Sequence, residues 1–135
     1  MTIKRHKHDA VLIKDGRVLI IGGSNERDSA GKYRSVEAFD PAKNKFSGVG
    51  EMKMERFKHI GTSILLPNGK ILIAGGADRA ELFDPETGRS ELAEGKLSGY
   101  SSFSTATLMK EGGVLITGGY NDQIAVGATA YVFVP

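Results

Sequence analysis

Three histidines and two pairs of acidic residues are the side chains here whose types could do chemistry. His6 and His8 stand two apart, so on a strand they point the same way. With a copy of themselves across a two-fold axis, they could hold a metal ion by imidazole nitrogens. No carboxylate is placed to complete that set, so no metal is expected. His59 falls at the position of His6 in a repeated pattern, where the third unit has Ser102. A residue set by a repeat is expected to be structural, here a polar group at the start of a strand. Glu37 and Glu81 share one repeat position, taken by Tyr131 in the third unit, and Asp40 and Asp84 share another. Paired carboxylates can serve as general acid and base. Their periodicity instead marks them as sheet-building groups that accept backbone or arginine hydrogen bonds. No catalytic residue and no cofactor is expected.

Other chemistries lack their residues. The 135 residues include no cysteine, so there is no disulfide framework, thiolate metal site or thiol nucleophile. There is no GxSxG elbow, no GxGxxG behind a strand and no phosphate loop. A net charge of +2 is too small to argue for nucleic acid, and Lys4, Arg5 and Lys7 read as a solvated basic terminus. No run of eighteen apolar residues spans a membrane, and MTIKRHKHDAV has no apolar core of a secretory signal. The cytoplasm is compatible with this and not established by it.

The elements that would position these side chains follow from a diglycine that recurs three times. Residues 13–23 read IKDGRVLIIGG, residues 66–76 LPNGKILIAGG and residues 109–119 MKEGGVLITGG. Each is an apolar strand, a tight glycine turn, a second apolar strand and Gly-Gly. SVEAFDP at 35–41 and RAELFDP at 79–85 follow the first two pairs, and AYVFVP at 130–135 follows the third, with Val134 in place of the aspartate. Asp-Gly and Asn-Gly favour hairpin turns, so the strands pair antiparallel. The expected pairs are 10–13 with 17–21, 63–66 with 70–74, and 106–109 with 114–117. Third strands are expected at 36–40, 81–84 and 129–134, and outer strands at 46–49 and 90–92. That makes eleven strands. Their nearly continuous apolar runs predict burial on both faces.

The phrase HIGTSILLPNGKILIAGG at 59–76 with ELFDP at 81–85 resembles the bacterial kelch repeat, and the resemblance covers essentially the whole chain. It implies an all-β fold of kelch-type β-propeller blades, each a four-stranded antiparallel sheet. Blade one spans about 5–53, blade two about 58–97 and blade three about 101–135 without its outer strand. The tryptophan of the family pattern is Phe46 in the first copy and Ser90 in the second, which predicts a less well anchored outer strand in blade two. The family includes a copper radical oxidase, whose cysteine–tyrosine crosslink this chain cannot make, and a sialic-acid mutarotase. A carbohydrate-active enzyme therefore stays open as the alternative to a non-enzymatic scaffold and binding module.

Length varies almost wholly between the second and third strands. From the first glycine of each pair to the aspartate position is 18, 9 and 16 residues. Insertions on one face mark the better candidate for binding. That face is expected to hold Arg27, Tyr33, Arg34, Arg56, Arg79, Tyr100, Tyr120, Asn121, Asp122 and Gln123, and to take a peptide or a sugar. Residues 1–4 align with 54–57, the start of an innermost strand. Three blades make an arc with two bare apolar ends. A second copy would close it into a six-bladed ring, blade one of each chain against blade three of the other. A piece cut from a longer propeller would show the same open ends.

Overall fold

The computed structural model describes residues 1–27, 30–99 and 101–135. Its described residues form twelve strands and no helix. Sheet one holds β1 (Asp9–Leu12), β2 (Val18–Ile21), β3 (Ser24–Arg27), β4 (Ala30–Asp40) and β5 (Lys45–Arg56). Sheet two runs in the order β6 (Ser63–Leu65), β7 (Ile71–Ile73), β8 (Glu81–Asp84), β9 (Arg89–Leu92). Sheet three has β10 (Thr105–Leu108), β11 (Val114–Thr117) and β12 (Ala130–Phe133). Every pairing is antiparallel, as the glycine turns require.

The three sheets are copies in register. Val18, Ile71 and Val114 stand opposite Phe39, Phe83 and Phe133. They stack in chain order on two apolar layers. Leu19, Ile21, Val36 and Met52 of sheet one meet Ile71, Ile73 and Phe83 of sheet two. Leu66, Leu72 and Ala74 on the other face of sheet two meet Val114 and Ile116 of sheet three. The middle sheet is thus covered on both faces, which explains its unbroken apolar runs. Sheets one and three have one covered face each.

Two segments depart from the sequence reading. Residues 24–27 and 30–34, expected as part of a connection, continue the sheet: β3 pairs with the first half of β4, beyond the glycine pair. The outer strand expected at 46–49 runs on as β5 to Arg56, so that Tyr33 lies opposite Arg56. The β3 and β4 extension is polar and pairs through its backbone, which leaves no apolar alternation to read there. In the β5 extension Met52 and Met54 alternate with Glu51, Lys53 and Glu55, and Met52 enters the core.

The glycine pairs allow close backbone approach. A Cβ on Gly23, Gly76 or Gly119 would lie 2.7, 2.7 or 2.8 Å from the carbonyl oxygen of His6, Phe57 or Ser102. All three have φ between 73° and 91°, a region that suits glycine.

Candidate functional site

The shared glycine contacts also set the true alignment at the strand starts. His8, His59 and Ser104 occupy one position, and Lys7, Lys58 and Phe103 the next, the latter three all with φ near 55°. The expected equivalence of His6, His59 and Ser102 is therefore corrected by two residues. Ile60 and Gly61 form an extra turn in sheet two, which displaced the match. By the same alignment residues 1–5 correspond to 52–56, the end of an outer strand, and not to the start of an inner one.

That alignment exposes a repeated latch. Glu81 accepts from the Lys53 N–H at 2.7 Å, from Arg56 Nε at 2.8 Å and from Ser90 Oγ at 2.5 Å. Glu37 accepts from the Thr2 N–H at 2.8 Å, from the Thr2 hydroxyl and from Arg5 at 3.0 Å. In sheet three the Tyr131 hydroxyl accepts from the Ser98 N–H at 2.7 Å. Thr2, Lys53 and Ser98 are equivalent, so each sheet is tied by one backbone N–H from the segment before it. The expectation that Glu37 and Glu81 accept backbone and arginine hydrogen bonds holds. Burial works against ionisation of Glu37, but the Thr2 hydrogen bonds and the Arg5 charge outweigh it and keep its carboxyl below the usual range.

The aspartate pair builds turns. Asp40 Oδ1 accepts from the N–H of Ala42 and Lys43, and Asp84 Oδ1 from Glu86 and Thr87. These hydrogen bonds, with that of the Lys43 side chain to Asp40, hold both carboxyls below their ordinary value. Ser90 replaces the aromatic anchor of Phe46 with its hydrogen bond to Glu81, so the outer strand of sheet two is held by a polar contact. Phe46 itself packs on Phe39 at 4.9 Å between ring centroids.

The binding candidates scatter. Arg56 is corrected: it is fully buried, and its guanidinium also donates to the carbonyls of Gly75 and Arg79 at 2.7 and 2.5 Å. A charge with that many fixed acceptors is a structural part and cannot meet a ligand. Arg5 is likewise corrected from solvated terminus to buried latch, 7 % exposed. Tyr33 lies under Arg5, 5.1 Å from its guanidinium carbon to the ring centroid. Arg34 pairs with Glu51 at 3.0 Å in solvent. Arg79 is half-buried and donates to the Ala93 carbonyl at 2.6 Å. Asn121 caps its own turn through the N–H of Gln123 and Ala125, leaving Asp122 and Gln123 exposed. The Arg27 side chain and Tyr100 lie outside the described residues.

Tyr120 is the candidate that belongs to a group. Its ring packs on Phe103 at 5.7 Å, and the Lys58 ammonium lies 5.1, 6.0 and 5.9 Å from the rings of Phe57, Phe103 and Tyr120. The Lys32 ammonium also lies over Phe57, 4.5 Å from its ring centroid. Phe103 is 49 % exposed, unusual for a phenylalanine. Next to Tyr120 a hollow of about 340 Å3 is lined by Ser98, Gly99, Ser101, Gly119, Asn121 and Val126 among others. Lys58 and Phe103 were not among the named binding candidates. The signal for Phe103 is the change of residue type at one repeat position, from Lys7 and Lys58 to phenylalanine.

The histidines do not converge on a site. His59 is buried against the Ile21 carbonyl at 3.1 Å, and burial lowers its pKa to about 4. Among the described residues no three His, Asp or Glu side chains stand close enough together to hold a metal ion. No helix among them is long and apolar enough to cross a membrane.

A family model for the kelch motif matches residues 10–53, which cover β1 through most of β5. No curated protein matches the chain. With sheets two and three repeating the matched unit in register, the chain is an all-β protein built of kelch-type β-propeller blades.

Proposed function

We propose that this chain is a non-enzymatic β-propeller scaffold and protein-binding module. Its blades close into a six-bladed ring as a two-fold homodimer, blade one of each copy on blade three of the other. The observation behind this reading is the exposure of the two end faces. Leu12 on blade one is 63 % exposed and Val132 on blade three 57 %, although both lie within apolar strands. By the repeat, the bare face of blade one is the one that Ile71, Ile73 and Phe83 present in blade two, where it is covered. The bare face of blade three corresponds to that of Leu66 and Leu72, also covered there. Each end therefore has the shape of a surface that already packs against the other kind inside the chain. Closed rings are how repeat sheets of this type remove such faces from water.

The partner's place in this reading is the Lys58, Phe103 and Tyr120 patch. The exposed Phe103 ring beside the half-buried Tyr120, with the Lys58 ammonium near both, suits an acidic or aromatic segment of a polypeptide. Light scattering on the eluting protein tests the ring: the expected mass is twice the 14.4 kDa of one chain. A species of 14.4 kDa at every concentration would sink it. Saturation-transfer spectra against a sugar panel are expected to be silent, and anomer exchange would favour the carbohydrate-active alternative.

A further inference from the structure

We infer that Lys7, Lys58 and Phe103 form one contact strip, and that it takes a polypeptide segment carrying an acidic side chain close to an aromatic one. The three residues hold one repeat position, just ahead of β1, β6 and β10. Their backbones are joined in a row. The Phe103 N–H donates to the Lys58 carbonyl at 2.8 Å, and the Lys58 N–H to the Lys7 carbonyl at 3.0 Å. Two such steps span about 10 Å, the length of about three extended residues, so one short segment can cover all three. The strip is built from successive blades of one chain and does not depend on ring closure.

The backbone gives the first reason to read these side chains as a contact. All three have φ between 54° and 56°, where a side chain is crowded and glycine is at ease. Phe103 holds a bulky ring there and leaves it exposed, so packing within the chain does not account for the residue. Strained positions of this kind collect at contact sites. Charge gives the second reason. The Lys58 ammonium donates to the Tyr120 hydroxyl at 3.4 Å and lies near the Phe103 and Tyr120 rings. Lys7 brings a second ammonium one step along the row, and Lys32 a third over Phe57. An acidic side chain against Lys7 and Lys58 places a neighbouring aromatic ring against Phe103 and Tyr120. The hollow beside Tyr120, lined otherwise by Asn121, Val126 and small residues, gives that ring room. That a partner exists rests on the binding-module reading; the strip and the partner's chemistry are what this inference adds.

A random short-peptide library displayed on phage is selected on the intact protein, and the most enriched sequence is made as a labelled peptide. The expected sequences carry Asp or Glu within about two residues of Phe, Tyr or Trp, and binding weakens as salt rises. Lys58→Gln keeps the backbone demand of its position and should weaken binding about tenfold. Phe103→Gly should weaken it as much while leaving the thermal unfolding midpoint close to that of the parent, because relieved strain offsets lost packing. Three outcomes overturn the inference: enrichment of basic or purely apolar sequences, binding that neither substitution moves, or a clear loss of stability in Phe103→Gly. A basic pattern would assign the contact to the exposed Glu55 and Asp122. A destabilised Phe103→Gly would make the ring a structural part. A library with no enriched sequence rejects the binding-module reading and the strip with it, whereas enrichment of another chemistry rejects the strip alone.

Discussion

The Arg56 guanidinium has no contact with solvent and meets the equally buried Glu81 carboxylate at 2.8 Å. Removing one partner of such a pair strands the other charge in a medium that solvates it poorly. Glu81→Ala should therefore cost about 3–5 kcal/mol in urea unfolding, and an unchanged midpoint would refute the latch. Asp9 does a comparable job between blades. Its carboxylate accepts from the N–H groups of Gly61, Thr62 and Ser63 at 3.0, 3.0 and 2.7 Å. The Thr62 N–H also donates to the His59 carbonyl at 3.1 Å, so Asp9→Ala deprives chiefly the buried Ser63 N–H and should cost roughly 1–3 kcal/mol. His59 supplies a pH dependence with a definite sign. Its folded value of about 4 lies below the ordinary 6.5. Between those values the unfolded chain binds a proton that the folded chain excludes. Stability is full above about pH 6.5 and falls on the order of 3 kcal/mol on descending to pH 4. His59→Gln should flatten that slope in unfolding curves taken between pH 7 and pH 5. Among these residues the role of Glu81 was legible, because periodicity separates builders from catalysts, whereas that of Asp9, which shares no acidic repeat position, was not. Arg56 was not, since a surface arginine and a latch arginine read alike until the glutamate that faces it is placed.

At the scale of the element, the outer strands decide how closely two blades approach. A Cβ on Gly50 would lie 2.1 Å from the Gly88 carbonyl oxygen, whereas one on Gly48 meets nothing within 4 Å. Gly50→Ala must push β5 off the turn of blade two and should destabilise by about 1–3 kcal/mol. Gly48→Ala in the same strand is the control and should be close to neutral; equal losses would show that strand propensity and not inter-blade contact is at work. The apolar strands β1, β2, β6, β7, β10 and β11 were legible from their glycine turns. The long extensions of β4 and β5 were not read as strands. That of β4 carries no alternation and is extended because neighbouring backbone satisfies its hydrogen bonds. The alternation of Met52 and Met54 with Glu51, Lys53 and Glu55 in β5 was passed over as a connection.

For the molecule as a whole, the bare ends set the prediction. Leu12→Asp and Val132→Asp each put a charge on an exposed end face, so the single chain should fold nearly unperturbed. The proposed ring would have to bury that charge unpaired. Either substitution should shift the mass from a dimer to 14.4 kDa with little change in the far-ultraviolet dichroism spectrum. A dimer that survives both would place the interface elsewhere. The binding patch is also a property of this scale. Lys58 and Phe103 come from successive blades and are joined through the Phe103 N–H to the Lys58 carbonyl at 2.8 Å. Tyr120 reaches the same spot from beyond β11.

By itself the sequence determined the repeat, the antiparallel hairpins, the blade type and the structural role of the paired carboxylates. These follow from turn chemistry and apolar period, which are local along the chain. Only the tertiary structure decided which arginines are buried, where the repeats truly align past the extra turn at Ile60 and Gly61, and which rings gather around Lys58. Those depend on distances between residues far apart in sequence, and a backbone or side-chain hydrogen bond across two blades leaves no pattern in either strand alone.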